Sequence, residues 1–137
     1  MEILSFLNVK KQKRYVSEND FAANQIRHVK QATESLVSLR DVAVEEEDEF
    51  KIDYFFYTDT LEKAQKLEEE IQSMNFIVNH GPASQNKNLF AISGRTLEIK
   101  MMHESLSKWV SEMCELGYKH DCNFESWQIV PELNKNS

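Results

Sequence analysis

The side chains able to do chemistry are few and scattered. The 137 residues hold two cysteines, Cys114 and Cys122, and four histidines. Cys122 stands two residues after His120, which is half of a zinc site; no second pair follows at ligand spacing, so no zinc is expected. His103-Glu104 opens like a zinc-protease helix, but Ser107 occupies the place of the second histidine. A cysteine–histidine nucleophile needs contact in space, and here the histidines lie near the cysteines in sequence only. Gly81, Gly94 and Gly117 are isolated, so there is no glycine-rich phosphate loop and no Gly-x-Ser-x-Gly elbow. Carboxylates are so plentiful that no pair stands out as an acid–base dyad. No catalytic residue, cofactor or metal is expected, and the chain reads as a non-enzyme.

Charge narrows the partners. Residues 1–40 carry seven Lys/Arg against four acids, whereas residues 41–137 carry nine bases against nineteen acids, a net of −10. A body this acidic repels a phosphate backbone and suits a basic protein surface instead. Phe55, Tyr57 and Phe90 could imitate the aromatic platform of an RNA-binding sheet. The strand Leu89–Ser93 lacks that signature's glycines, so direct nucleic-acid binding is not expected. Their alternative place is a second core beneath an N-terminal helix. Two cysteines make no disulfide framework and fit a reducing, cytoplasmic compartment. Met1 to Arg14 places Ile3, Leu4, Phe6, Leu7 and Val9 before a basic cluster, the reverse of a signal peptide, and nothing reaches membrane-spanning length.

These residues need elements to hold them. Ser17 to Val42 reads as a helix capped by Ser17 or Asn19, with Ala22, Ile26, Val29, Ala32 (or Thr33), Leu36 and Leu39 as its buried stripe. The run Glu45-Glu46-Glu47-Asp48-Glu49 reads as a solvated linker, which divides an arm and helix (1–44) from a domain (45–131) and a loose tail (132–137). Phe50 to Tyr57 is a strand. Residues 60–74 form a helix with Leu61, Ala64, Leu67, Ile71 and Met74 inward, and Asp59 with Glu62 resembles its capping box. Phe76–His80 and Leu89–Ser93 are strands, the second followed by a bend or bulge at Gly94. Leu97–Gly117 holds the last helix, unless Leu97-Glu98-Ile99 extends the strand before it; its buried stripe runs through Met102, Leu106, Trp109, Met113 and Leu116, with Cys114 in the core and Gly117 as its C-cap. Asn123 to Val130 is the final strand. The order predicts an α+β, ferredoxin-like βαββαβ sandwich, with a four-stranded antiparallel sheet, two helices on one face and an extra N-terminal helix over the other face or an edge.

The last strand is the most distinctive stretch. Phe124 and Trp127 share a face only if a bulge intervenes near Glu125-Ser126. Trp127 reads as core; at an exposed edge it would anchor a partner. Glu125 sits at the sheet margin or pairs with a base such as Arg95. The runs Tyr54-Phe55-Phe56-Tyr57, Phe76-Ile77-Val78, Leu89-Phe90-Ala91-Ile92-Ser93-Gly94-Arg95 and Phe124-Glu125-Ser126-Trp127-Gln128 resemble the RraB-like family, regulators of ribonuclease E activity, over about residues 35–131. Ser126 and Gln128 stand where that family typically has a glycine and an acid. The resemblance implies a cytoplasmic protein that inhibits an endoribonuclease by direct contact and has no chemistry of its own. Candidate partner contacts are Glu125, Trp127, Arg95 and the acidic run Glu45, Glu46 and Glu47. The alternative is a ferredoxin-like domain that acts by homo-oligomerisation or by binding a small ligand.

Overall fold

The structure is a computed structural model that describes residues 13–131. The apolar N-terminal residues Ile3 to Val9 and the tail from Glu132 lie outside the described residues. The elements are helix α1 (Glu18–Asp41), strand β1 (Glu49–Thr58), helix α2 (Leu61–Gln72), strands β2 (Ile77–Pro82), β3 (Phe90–Arg95) and β4 (Ile99–Lys100), helix α3 (His103–Lys119) and strand β5 (Asn123–Val130).

Strand β1 is central, with β3 on one side and β5 on the other, and β2 lies outside β3; all pairings are antiparallel. This is the ferredoxin-like arrangement with one addition. The short β4 pairs with the first two residues of β1, continuing the edge that β3 began. Thr96 makes the join: its backbone N–H donates to the Ile52 carbonyl at 2.9 Å, and its Oγ1 accepts from the Ile52 N–H at 3.0 Å. Ile99 therefore belongs to the sheet, in keeping with the strand reading of Leu97-Glu98-Ile99, and α3 starts at His103.

Alternation along β1 divides the two faces. Ile52, Tyr54, Phe56 and Thr58 are fully buried under α2 and α3, whereas Lys51 and Phe55 are exposed on the open face. Helix α2 is capped by Thr60, whose side chain accepts from the Lys63 N–H, so Asp59 is not the cap and instead pairs with Lys63. Ala64, Leu67 and Ile71 are buried, but Leu61 and Met74 at its ends are exposed.

Two glycines have roles other than those expected. Gly94 lies in regular register within β3 because the Tyr54 hydroxyl crosses it to donate to the Ile77 carbonyl at 2.7 Å. A Cβ there would fall 1.8 Å from that carbonyl oxygen. Gly117 is no C-cap, since α3 runs on to Lys119; a Cβ on it would meet the Cys122 carbonyl oxygen at 2.6 Å. Both are required by close approach, not by backbone dihedral.

Helix α1 takes the edge, one of its two expected places, and leaves the open face uncovered. It packs along α3 and the outer edge of β5, with Phe21 stacked on Tyr118 at 4.5 Å. Phe55 and Tyr57 consequently have no helix above them, and the second core expected there does not form. The expected stripe of α1 holds at Ala32 and Leu36, which are buried, and at Val29 and Leu39, which pack against the core, but Ala22 and Ile26 are exposed and His28 is buried in the N-terminal half instead.

Candidate interaction surfaces

The segment Asn123–Trp127 is built around a bulge. Register along β5 shifts between Phe55 and Phe56, so that Trp127 faces Tyr54 and Phe124 faces Phe56. Glu125 is the extra residue. Both aromatics therefore point into the core, at 1% and 4% exposure, and meet the Trp109 ring edge-on at 5.9 and 6.0 Å. Trp127 is a core residue and not an exposed anchor.

His28 of α1 reads this bulge from outside. Its Nε2 lies 2.8 Å from the Phe124 carbonyl oxygen, and the Trp127 indole N–H points at its Nδ1 from 3.2 Å. A carbonyl can only accept and an indole can only donate, so the ring is the neutral tautomer protonated at Nε2. Burial pushes its pKa below the ordinary value, and the nearby Arg27 pushes the same way; the hydrogen bond to Phe124 and the Glu125 charge only partly oppose this.

His28 belongs to a polar row. Asn24 Nδ2 also donates to the Phe124 carbonyl (2.8 Å), Arg27 Nη2 to the Glu125 carbonyl (3.3 Å) and Gln31 Nε2 to the Trp127 carbonyl (3.4 Å). Residues 24, 27, 28 and 31 fall on one side of a helix, and their side chains take the place of a neighbouring strand. Unpaired carbonyls at a sheet edge invite another chain, and this row satisfies them. Polar residues at helical spacing normally read as a solvated face, so the sequence offered only the spacing as a signal.

A second hub lies at the turn into β5. Asp121 adopts φ 58°, in the left-handed region. Its carboxylate accepts from the backbone N–H groups of Tyr15 (2.9 Å) and Val16 (2.8 Å) and from Lys63 Nζ (2.6 Å), tying the start of α1 to α2. Burial alone would raise its pKa, but these hydrogen bonds outweigh it and hold the carboxyl below its ordinary range.

The remaining residues singled out from the sequence do not converge. Arg95 pairs with Asp53 at 2.7 Å on the open face, not with Glu125. Glu125 is exposed and accepts from the Asn123 side chain at 2.9 Å. Glu45, Glu46 and Glu47 are exposed in the loop before β1, at the other end of that strand, and Glu47 pairs with Lys100 at 3.0 Å. The cysteines are buried, and burial pushes both thiols up to about 12, so neither is a thiolate at neutral pH. His120 turns from Cys122 to Glu70, with Nε2 2.7 Å from its carboxylate. No group of three or more His, Cys, Asp or Glu among the described residues could hold a metal ion. No helix among them is long and apolar enough to cross a membrane.

These residues sit on a ferredoxin-like α+β sandwich whose β5 edge is covered by α1. Residues 27–129 match the RraB family, described as regulator of ribonuclease activity B. The chain belongs to that family. Among curated proteins no individual sequence matches it.

Proposed function

We propose that this protein is a non-catalytic, cytoplasmic regulator of RNA degradation that inhibits ribonuclease E by direct contact, with its acidic exterior docked on a basic surface of the enzyme. The observation that carries this reading is the family match, which runs from Arg27 in α1 to Ile129 in β5. Charge supports it, since a net −7 favours a nuclease's RNA-binding face over RNA itself. The exposed acids Glu45, Glu46, Glu47 and Glu125 are available to such a surface, whereas Trp127 contributes from within by holding β5 in place.

The test is cleavage of a defined RNA by purified ribonuclease E from the same host, with the chain titrated in at low salt. Saturable inhibition with measurable complex formation is expected. If the chain neither binds nor slows the enzyme, the reading is wrong.

One observation favours a second reading, homo-oligomerisation. On the uncovered sheet face Phe55 is 42% and Ile77 62% exposed. Native mass spectrometry at micromolar concentration decides this: a dimer that buries these residues supports it, and a monomer removes it.

A further inference from the structure

Helices α2 and α3 lie side by side on the sheet, and their C-terminal halves leave a cleft of about 480 Å³ between them. Met74, Phe76 and Leu116 supply its apolar lining. Asn75, with φ 66°, reverses the chain between α2 and β2, which brings Met74 and Phe76 to the same cleft. Met74 is 37% exposed, and Phe76 is half-buried against Tyr54 with ring centres 6.2 Å apart.

The rim is acidic. Glu112 and Glu115 stand on α3 within one turn of each other, and Glu70 faces them from α2. Lys119 is the one basic residue lining the cleft among the described residues, and Glu70 already holds it at 3.1 Å. Glu112 and Glu115 have no cationic partner among those residues. The cleft therefore combines an apolar centre with two uncompensated charges on one wall. Interfaces draw affinity from such a centre, and register and encounter rate from the flanking charge.

We propose that this cleft receives an amphipathic helix of the regulated ribonuclease, with the helix's apolar stripe on Met74, Phe76 and Leu116 and its Arg or Lys residues on Glu112 and Glu115. Helix-in-groove docking lays an apolar stripe into an apolar groove, and the acids beside this one match basic residues flanking such a stripe. A second copy of this chain, itself net −7, is repelled by the rim, and so is RNA. The inference rests on the regulator reading and names the surface by which it works.

The experiment measures the affinity of purified ribonuclease E for four forms of the full chain: wild type, Glu112→Lys/Glu115→Lys, Glu45→Lys/Glu46→Lys and Met74→Ser. The two double variants change net charge equally, and all substituted side chains are solvent-exposed, so thermal melts should remain near wild type. The expected result is a loss of about tenfold or more in affinity for the cleft double variant and distinctly smaller losses for Met74→Ser and for the loop variant, whose acids add only to the general field that attracts a basic surface. Equal losses in both double variants, or none in either, overturn the cleft while leaving the regulator reading intact.

If the wild type does not bind ribonuclease E at all, the regulator reading falls, and a second probe decides the cleft. That probe is a synthetic helical peptide with leucines on one face and flanking arginines, titrated into isotopically labelled chain. Amide shifts clustered at residues 74–76 and 112–119 uphold the site. Shifts centred elsewhere, or none, overturn it.

Discussion

Four residues carry more than their types suggest. Asp121 neutralises Lys63 and ties down the Tyr15–Val16 backbone from one carboxylate with 12% side-chain exposure. Asp121→Asn keeps a residue tolerant of positive φ but removes the charge, and should cost on the order of 2–4 kcal/mol in urea unfolding. Asp121 and Glu70 both have lowered pKa values, Glu70 through His120 and Lys119. Their stabilisation is present above the ordinary carboxylate range and is lost as pH falls through the lowered folded values. His28 has the same sign at higher pH. Its folded pKa lies below that of the unfolded chain, so stability is full above about pH 6.5 and declines as pH falls towards the folded value. Unfolding midpoints measured between pH 7.5 and 5 should show this decline, and His28→Gln should flatten it. Gly94→Ala should cost more than about 3 kcal/mol or prevent folding, because the added Cβ meets backbone. Removing the Tyr54 hydroxyl in the same chain should not rescue it, since the Ile77 carbonyl stays in place. Recovery of the melt in that double variant would refute the close-approach account.

At the scale of elements, α1 acts as a substitute strand. Its side chains at 24, 27, 28 and 31 satisfy β5 carbonyls that a β-neighbour would otherwise bind. Asn24→Ala/Gln31→Ala leaves two of those interactions unmade without touching the apolar core. A loss of about 1–3 kcal/mol is expected, together with faster aggregation under mild denaturation as the edge opens. Light scattering alongside hydrogen exchange at residues 124–128 checks both; unchanged protection there would show that α1 does not guard the edge. The opposite edge, β2, ends in Gly81-Pro82, and proline at a strand end removes a donor that a foreign strand could pair with.

The whole molecule places its charge unevenly: acids crowd the loop before β1 and the rim of the α2–α3 cleft, while the aromatic sheet face holds the internally paired Arg95 and Asp53. Contact with a basic enzyme should therefore be steered electrostatically. Association with ribonuclease E should slow by about tenfold or more between roughly 0.05 and 0.5 M salt, with a smaller change in dissociation rate. An association rate indifferent to salt would count against an acidic docking surface. Homo-oligomerisation through Phe55 and Ile77 would respond the other way, because salt screens the repulsion between like-charged copies.

By itself the sequence determined the elements whose periodicity is local. The alternation of Ile52, Tyr54 and Phe56, the stripe Ala64–Leu67–Ile71, the bounds of β5 and the bulge that aligning Phe124 with Trp127 requires could be read from residue spacing, and the family from the resemblance of the strand motifs. Tertiary structure alone decided where α1 lies, because a helix with both an apolar and a polar row can turn either one inward. The core contacts of Ala32 and Leu36 and the β5 carbonyls met by Asn24, His28 and Gln31 together set its rotation, and neither partner is visible in the helix's own sequence. The same holds for Gly94 and Gly117, whose necessity comes from atoms far away in sequence, and for Trp127, whose burial depends on the bulge that redirects it. The distinctive C-terminal strand thus marks the family from inside the core rather than from the surface.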